Sequence, residues 1–85
     1  MGELSNVVNI GKVLEEQLNE VDIYTLEELK TIGAKEAWLK IQKIDASACI
    51  QRLQALEGAI EGIKKKELSL TTKEDLRSFY REHKL

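Results

Sequence analysis

Apolar residues recur at helical spacing through almost the whole chain. No stretch alternates with the period of two that marks a half-buried strand. Ile10, Val13, Leu14, Leu18 and Val21 share one face of a first long helix. Ser5 stands where it can cap a short opening turn through Val7 and Val8. Asp22 falls at the exit of the long helix, a place for a left-handed residue; glycine is usual there and Asp is tolerated. Thr25-Leu26-Glu27-Glu28 is a capping box, in which the Thr hydroxyl meets the N–H three residues on and the Glu reaches back. Leu26, Leu29 and Ile32 then face inward, and Gly33 stops that helix. Ala37, Trp38, Ile41 and Ile44 carry the next one. Asp45 or Ser47 is the expected cap of the longest helix, along which Cys49, Leu53, Leu56, Ile60 and Ile63 form a seam. Thr71-Thr72-Lys73-Glu74 reads as a second capping box, ahead of Leu76, Phe79, Tyr80 and His83 on the inner face of the last helix.

The pattern predicts one all-α domain over residues 1–85, a compact bundle of about five helices. Its opening unit, Asn9 to Leu29, is a glycine turn, a helix, a tight exit and a newly capped helix. That order has the form of a helix-hairpin-helix, so the expected arrangement is helix-hairpin-helix or SAM-like. Asn9-Ile10-Gly11-Lys12 is the first candidate contact site. A helix start presents unpaired N–H groups and partial positive charge, Gly11 lets a backbone approach, and Lys12 adds a cation. Ile32-Gly33-Ala34-Lys35 repeats the pattern. The bland reading competes at both places: Asn9 caps, Gly11 makes room for packing, and Gly33 ends a helix. Glu15, Glu16 and Glu20 lie on the helix behind Gly11 and would repel DNA if they faced it. The structural reading is favoured at both turns. Asn9, Gly11, Lys12, Gly33 and Lys35 remain the candidate residues for nucleic acid or a partner.

Composition narrows the field. The 85 residues contain no proline, so glycines and caps must set the helix boundaries. No apolar run approaches 18 residues, and no basic start precedes an apolar segment, so neither a membrane span nor a signal peptide is expected. Met1-Gly2 opens like a myristoylation signal, but Asn6 stands where that signal needs Ser or Thr. The single Cys49 excludes an internal disulfide and suits a reducing, cytoplasmic setting. The net charge of −2 hides an asymmetry: residues 1–63 hold 6 Lys/Arg against 11 Asp/Glu, and residues 64–85 hold 7 against 4. An acidic body with a basic end is not the footprint of a strong general DNA binder.

Little catalytic chemistry is visible. Zinc needs a cluster of ligands at defined spacing, and Cys49 and His83 are single copies. Cys49 heads an apolar seam, where a buried, inert thiol is expected. No phosphate loop, dinucleotide fingerprint or nucleophile elbow occurs. The expectation is therefore no enzyme, no metal, no cofactor and no small-molecule substrate. The Lys64-Lys65-Lys66 run could meet nucleic acid or an acidic partner, but compensation of a helix dipole is the favoured reading. Ala55, Gly58, Ala59 and Gly62 give the long helix a small-residue face, expected to receive a close neighbour within the domain rather than a second copy. Trp38 is the expected core anchor.

Several runs together resemble the C-terminal domain of the bacterial competence regulator TfoX. They are Asn9-Ile10-Gly11-Lys12-Val13-Leu14, Gln17-Leu18-Asn19-Glu20-Val21, and Ile23 with Thr25-Leu26-Glu27-Glu28-Leu29. Gly33, Lys35-Glu36-Ala37-Trp38-Leu39, Ile44-Asp45-Ala46-Ser47-Ala48-Cys49, Leu56-Glu57-Gly58-Ala59-Ile60, Gly62-Ile63, and Leu76 with Phe79-Tyr80 extend the likeness over nearly the whole chain. The chain departs from that family at Asp22, where glycine is usual, and at Val7-Val8, where Leu-Pro is common. The resemblance implies an all-helical domain standing without the family's N-terminal domain, and a regulatory role in DNA transformation. It carries over no catalytic residue. The expected partner is a protein, or a second copy as a homodimer; sequence-independent DNA binding through Gly11, Lys12, Gly33 and Lys35 is the alternative.

Overall fold

A computed structural model of the chain describes residues 3–85, so the Met1-Gly2 start lies outside the described residues. Five α-helices carry the fold: α1 (Lys12–Glu20), α2 (Leu26–Ile32), α3 (Ala34–Ile44), α4 (Ile50–Glu61) and α5 (Leu70–His83). Short 3-10 turns occupy Glu3–Asn6 and Lys65–Glu67. Among the described residues there is no strand, and no helix is long and apolar enough to cross a membrane.

The core forms around Trp38 on α3, which is fully buried. Phe79 and Tyr80 of α5 meet its ring edge-on at centroid distances of 6.1 and 5.7 Å. Its indole N–H donates to the Cys49 carbonyl at 3.1 Å, so the polar end of the ring is satisfied where α4 begins. Leu18 of α1, Leu29 of α2, Ile41 of α3, Leu53 and Leu56 of α4, and Leu76 of α5 close around it, with Leu4 from the opening turn. Each such side chain contributes roughly 1.5–3 kcal/mol through burial. One core therefore ties all five helices together.

The element ends show which local signals prevailed. Asp22 takes a left-handed φ of 67°, as its place after α1 predicts, and Leu18 O accepts the Ile23 N–H at 2.8 Å. The first capping box is complete: Thr25 Oγ1 accepts the Glu28 N–H, and Glu28 Oε1 accepts the Thr25 and Tyr24 N–H groups. Gly33, at φ 89°, both ends α2 and precedes α3. A side chain there would be strained in this left-handed backbone.

Other boundaries differ from the sequence reading. Ser5 lies inside the opening 3-10 turn rather than ahead of it, and its N–H donates to Glu15 Oε2 at 3.1 Å. That carboxylate, on a residue only 4% exposed, faces the opening turn and not the outside. The cap position of α4 is Cys49, not Asp45 or Ser47, because the Asp45 carboxylate is drawn to other partners. Cys49 is half-buried rather than enclosed. Ser69 caps α5, accepting the Thr72 N–H at 3.1 Å, so Thr71 and Thr72 fall inside the first turn and the expected second capping box does not form. Ile44 is exposed and His83 lies outside the core, stacked on Phe79 at 4.1 Å. Along the α4 seam Leu53 and Leu56 are buried, while Ile60 is half-buried and Ile63 follows the helix.

Candidate functional site

Asn9 lies just ahead of α1 but does not cap it. It adopts φ 70°, and its side chain reaches across to the segment after α4. There Asn9 Nδ2 donates to the Ile63 carbonyl at 2.8 Å, and the Lys65 N–H donates to Asn9 Oδ1 at 3.1 Å. One amide thus replaces two missing backbone partners. The space for this comes from Gly58. A Cβ at that position would collide with Asn9 Nδ2 and lie 2.8 Å from the Ile63 oxygen and 3.3 Å from Lys65 Cα. The small-residue face of α4 therefore receives a close neighbour from within the same chain.

Gly11 occupies the cap position of α1 with an extended backbone (φ −93°, ψ −173°), and nothing lies within 4 Å of a Cβ built there. Lys12 and Val13, which follow it, are exposed. Gly33 and Lys35 fall elsewhere, on the rim of a cleft of about 600 Å³ between the start of α3 and the face of α4 and α5 bearing Glu57, Thr72 and Asp75. The structure thus separates the two candidate glycine–lysine pairs. Lys35 Nζ pairs with Asp75 at 2.7 Å and sits 5.4 Å from the Phe79 ring centroid, so its charge is already engaged. Glu57 is the unusual acid of this cleft. Burial, a hydrogen bond to Glu61 and the charge of Glu61 push its carboxyl up to about 7; Asp75 adds to the push and Lys35 opposes it.

A second polar centre joins α1 to the α3–α4 connection. Asp45 Oδ2 accepts from Arg52 at 2.7 Å and from Gln17 Nε2 at 2.9 Å. Its other oxygen accepts the Ser47 hydroxyl and N–H at 2.5 and 3.0 Å. The Ser47 hydroxyl, Arg52, the Ser47 N–H and Gln17 hold this carboxyl well below the usual carboxylate range. Every donor belongs to the fold, so the centre fastens a connection. Among the described residues, no group of three or more His, Cys, Asp or Glu side chains could hold a metal ion.

Sequence reasoning weighs the Lys64–Lys66 run and favours dipole compensation; the third place that this run forms with α5 is not foreseen. Lys65, Lys66, Lys73 and Arg77 line one shallow hollow with Gln51 and Gln54 of α4. Two signals could have found it: a glycine ending α4 ahead of the lysine run, and cations at helical spacing along α5.

The five-helix fold, the glycine turn and the Asn9–Gly58 contact together define a small all-helical domain. The model of the TfoX C-terminal domain family matches residues 1–80, and the chain belongs to that family, which relates it to bacterial competence regulators. It is 33% identical to protein Sxy of Escherichia coli strain K12 over 73 residues, which are 86% of this chain and 35% of Sxy. The chain thus spans about a third of that relative's length. A crystal structure of an uncharacterized protein from Listeria monocytogenes, in a triclinic form, superposes with a TM-score of 0.92. It is 46% identical, over 93% of this chain and 90% of that one. A tetragonal form of a Listeria monocytogenes protein of unknown function gives 0.90 at 46% identity, over 93% of this chain and 98% of that one.

Proposed function

We propose that the chain is a non-enzymatic regulatory module of the competence type that acts through protein–protein contacts. The family match over residues 1–80 carries this reading. The disposition of the polar groups supports it. Asn9, Glu15 and Asp45 are committed to holding the fold, His83 Nδ1 meets its own helix at Phe79 O, and Cys49 opens a helix. No two of them form a nucleophile–base pair. The partner face proposed is the exposed start of α1, where Gly11 and Lys12 adjoin exposed Val13. The cleft bearing Gly33 and Lys35 is a second contact region of the same surface reading.

The test is genetic and biochemical together. In a transformable bacterium carrying the gene, chromosomal Lys12→Glu with Val13→Asp should lower competence-gene transcripts and transformation frequency while the protein level is kept. Unchanged transcripts and transformation would contradict the reading. Light scattering at two concentrations decides whether the contact is between two copies.

A further inference from the structure

We infer that the hollow between α4, the 65–67 turn and α5 binds the phosphodiester backbone of duplex DNA. This goes beyond the protein-contact reading and rests on different residues.

Dipole compensation does not account for where these cations lie. α4 is ended by its own backbone: Gly62 turns left-handed at φ 78°, its N–H donates to Ala59 O, and the Ile63 N–H donates to Gly58 O. Such a cap satisfies terminal carbonyls without any cation. The chain then doubles back along α4, held by Asn9, with Lys65 Cα close against Gly58. Lys65 and Lys66 are thereby carried beside Gln51 and Gln54, near the start of α4, and not left at its end. Lys73 and Arg77, one turn apart on α5, close the other side.

The hollow, about 250 Å³, is lined by four cations and two amides, with no carboxylate and no aromatic ring among its lining residues. Neither Lys65, Lys66, Lys73 nor Arg77 takes part in an ion pair among the described residues. Lys73 Nζ donates to the Lys66 carbonyl at 3.0 Å, which fixes the two walls relative to each other. Arg81 continues the α5 stripe at the next turn, in an adjoining hollow that also contains Glu74 and Ser78. Asp75, the acid paired with Lys35, faces the separate cleft.

The chemistry selects the partner. Phosphate oxygens need only cations and hydrogen-bond donors, which is what the walls offer. An unpaired strand would call for aromatic rings on which bases stack, and none lines the hollow. A protein partner would call for an apolar centre, and that is absent as well. Duplex backbone, read without sequence preference, fits what remains.

The experiment is a fluorescence anisotropy titration of the full chain with a labelled duplex of arbitrary sequence. The matching single strand and a polyglutamate peptide serve as rival ligands. If all four cations meet phosphates, duplex affinity should fall about 100-fold between 50 and 200 mM salt. Lys66→Ala with Arg77→Ala should weaken binding about tenfold or more at 50 mM and reduce the salt slope by about 2. Both side chains are exposed, and circular dichroism checks that the fold is kept. Lys12→Ala with Lys35→Ala should leave affinity within about twofold if phosphate contact is confined to this hollow. The inference is overturned by absence of duplex binding at 50 mM salt, by polyglutamate or single strand binding in preference, or by a loss that follows Lys12 and Lys35 instead of Lys66 and Arg77.

Discussion

Asn9 and Gly58 fit each other: the Asn9 amide lies where a side chain at position 58 would begin, and from there it bonds both Ile63 and Lys65. The front of α1 is thereby tied to the back of α4. Gly58→Ala should destabilise the domain although alanine is the better helix former by about 1 kcal/mol. The added carbon displaces the amide, and overpacking of this kind costs about 1–3 kcal/mol. Urea denaturation checks this; a gain in stability would show that the amide moves aside freely.

Gly11→Ser tests the opposite expectation at the other end of the same turn. Gly11 has an extended backbone and open space, so no close approach requires glycine. Serine can accept an N–H at a helix start, and the variant should be more stable by a few tenths of a kcal/mol. A loss above about 1 kcal/mol would show a constraint that the geometry does not contain.

Trp38→Ala should cost about 3–5 kcal/mol, given full burial and two edge-on ring contacts. A small domain has about 5–15 kcal/mol in total, so the variant should be close to unfolding at 37 °C. Chemical denaturation read by far-UV circular dichroism is the check, and a loss below about 1 kcal/mol would mean that the core lies elsewhere.

Stability should fall as pH rises from about 4.3 to about 7 through the contribution of Glu57. Its carboxyl titrates near 4.3 when unfolded and at about 7 when folded, so the folded state binds more protons in that window. Glu57→Gln should remove this slope and stabilise the protein at pH 8 by roughly 1 kcal/mol, a figure reduced for solvent screening. Asp45 acts in the reverse sense. Its carboxyl is held low, so its contribution is complete above about 3.9 and is lost as pH falls below that. Melting temperatures from pH 3 to 9 for the unaltered protein and for Glu57→Gln check the two signs; an unchanged slope in Glu57→Gln would contradict the first.

The helices were legible because their signals are local. Thr25 and Glu28 sit three residues apart and need no tertiary help, and Asp22 and Gly33 mark chain reversals by their own backbone preferences. Trp38 declared itself by size. Most failures came where a residue from another element competed. Asn9 looks like a cap until the chain reversal at Gly62 brings Ile63 and Lys65 to it. Asp45 looks like a cap until Arg52 and Gln17 claim its carboxylate. Thr71-Thr72-Lys73-Glu74 has the better local box, yet Leu70 begins the helix and Ser69 caps it. The basic hollow was hidden for the same reason: its cations come from two elements that only the doubled-back segment places side by side.

The central structural claim is that the opening turn belongs to the fold through Asn9 and Gly58. A double-mutant cycle of Asn9→Ala and Gly58→Ala in urea tests it most directly. Each single variant should lose about 1–3 kcal/mol, and the double variant should lose clearly less than their sum, with a coupling of about 1 kcal/mol or more. Losses that add to within about 0.5 kcal/mol would contradict it.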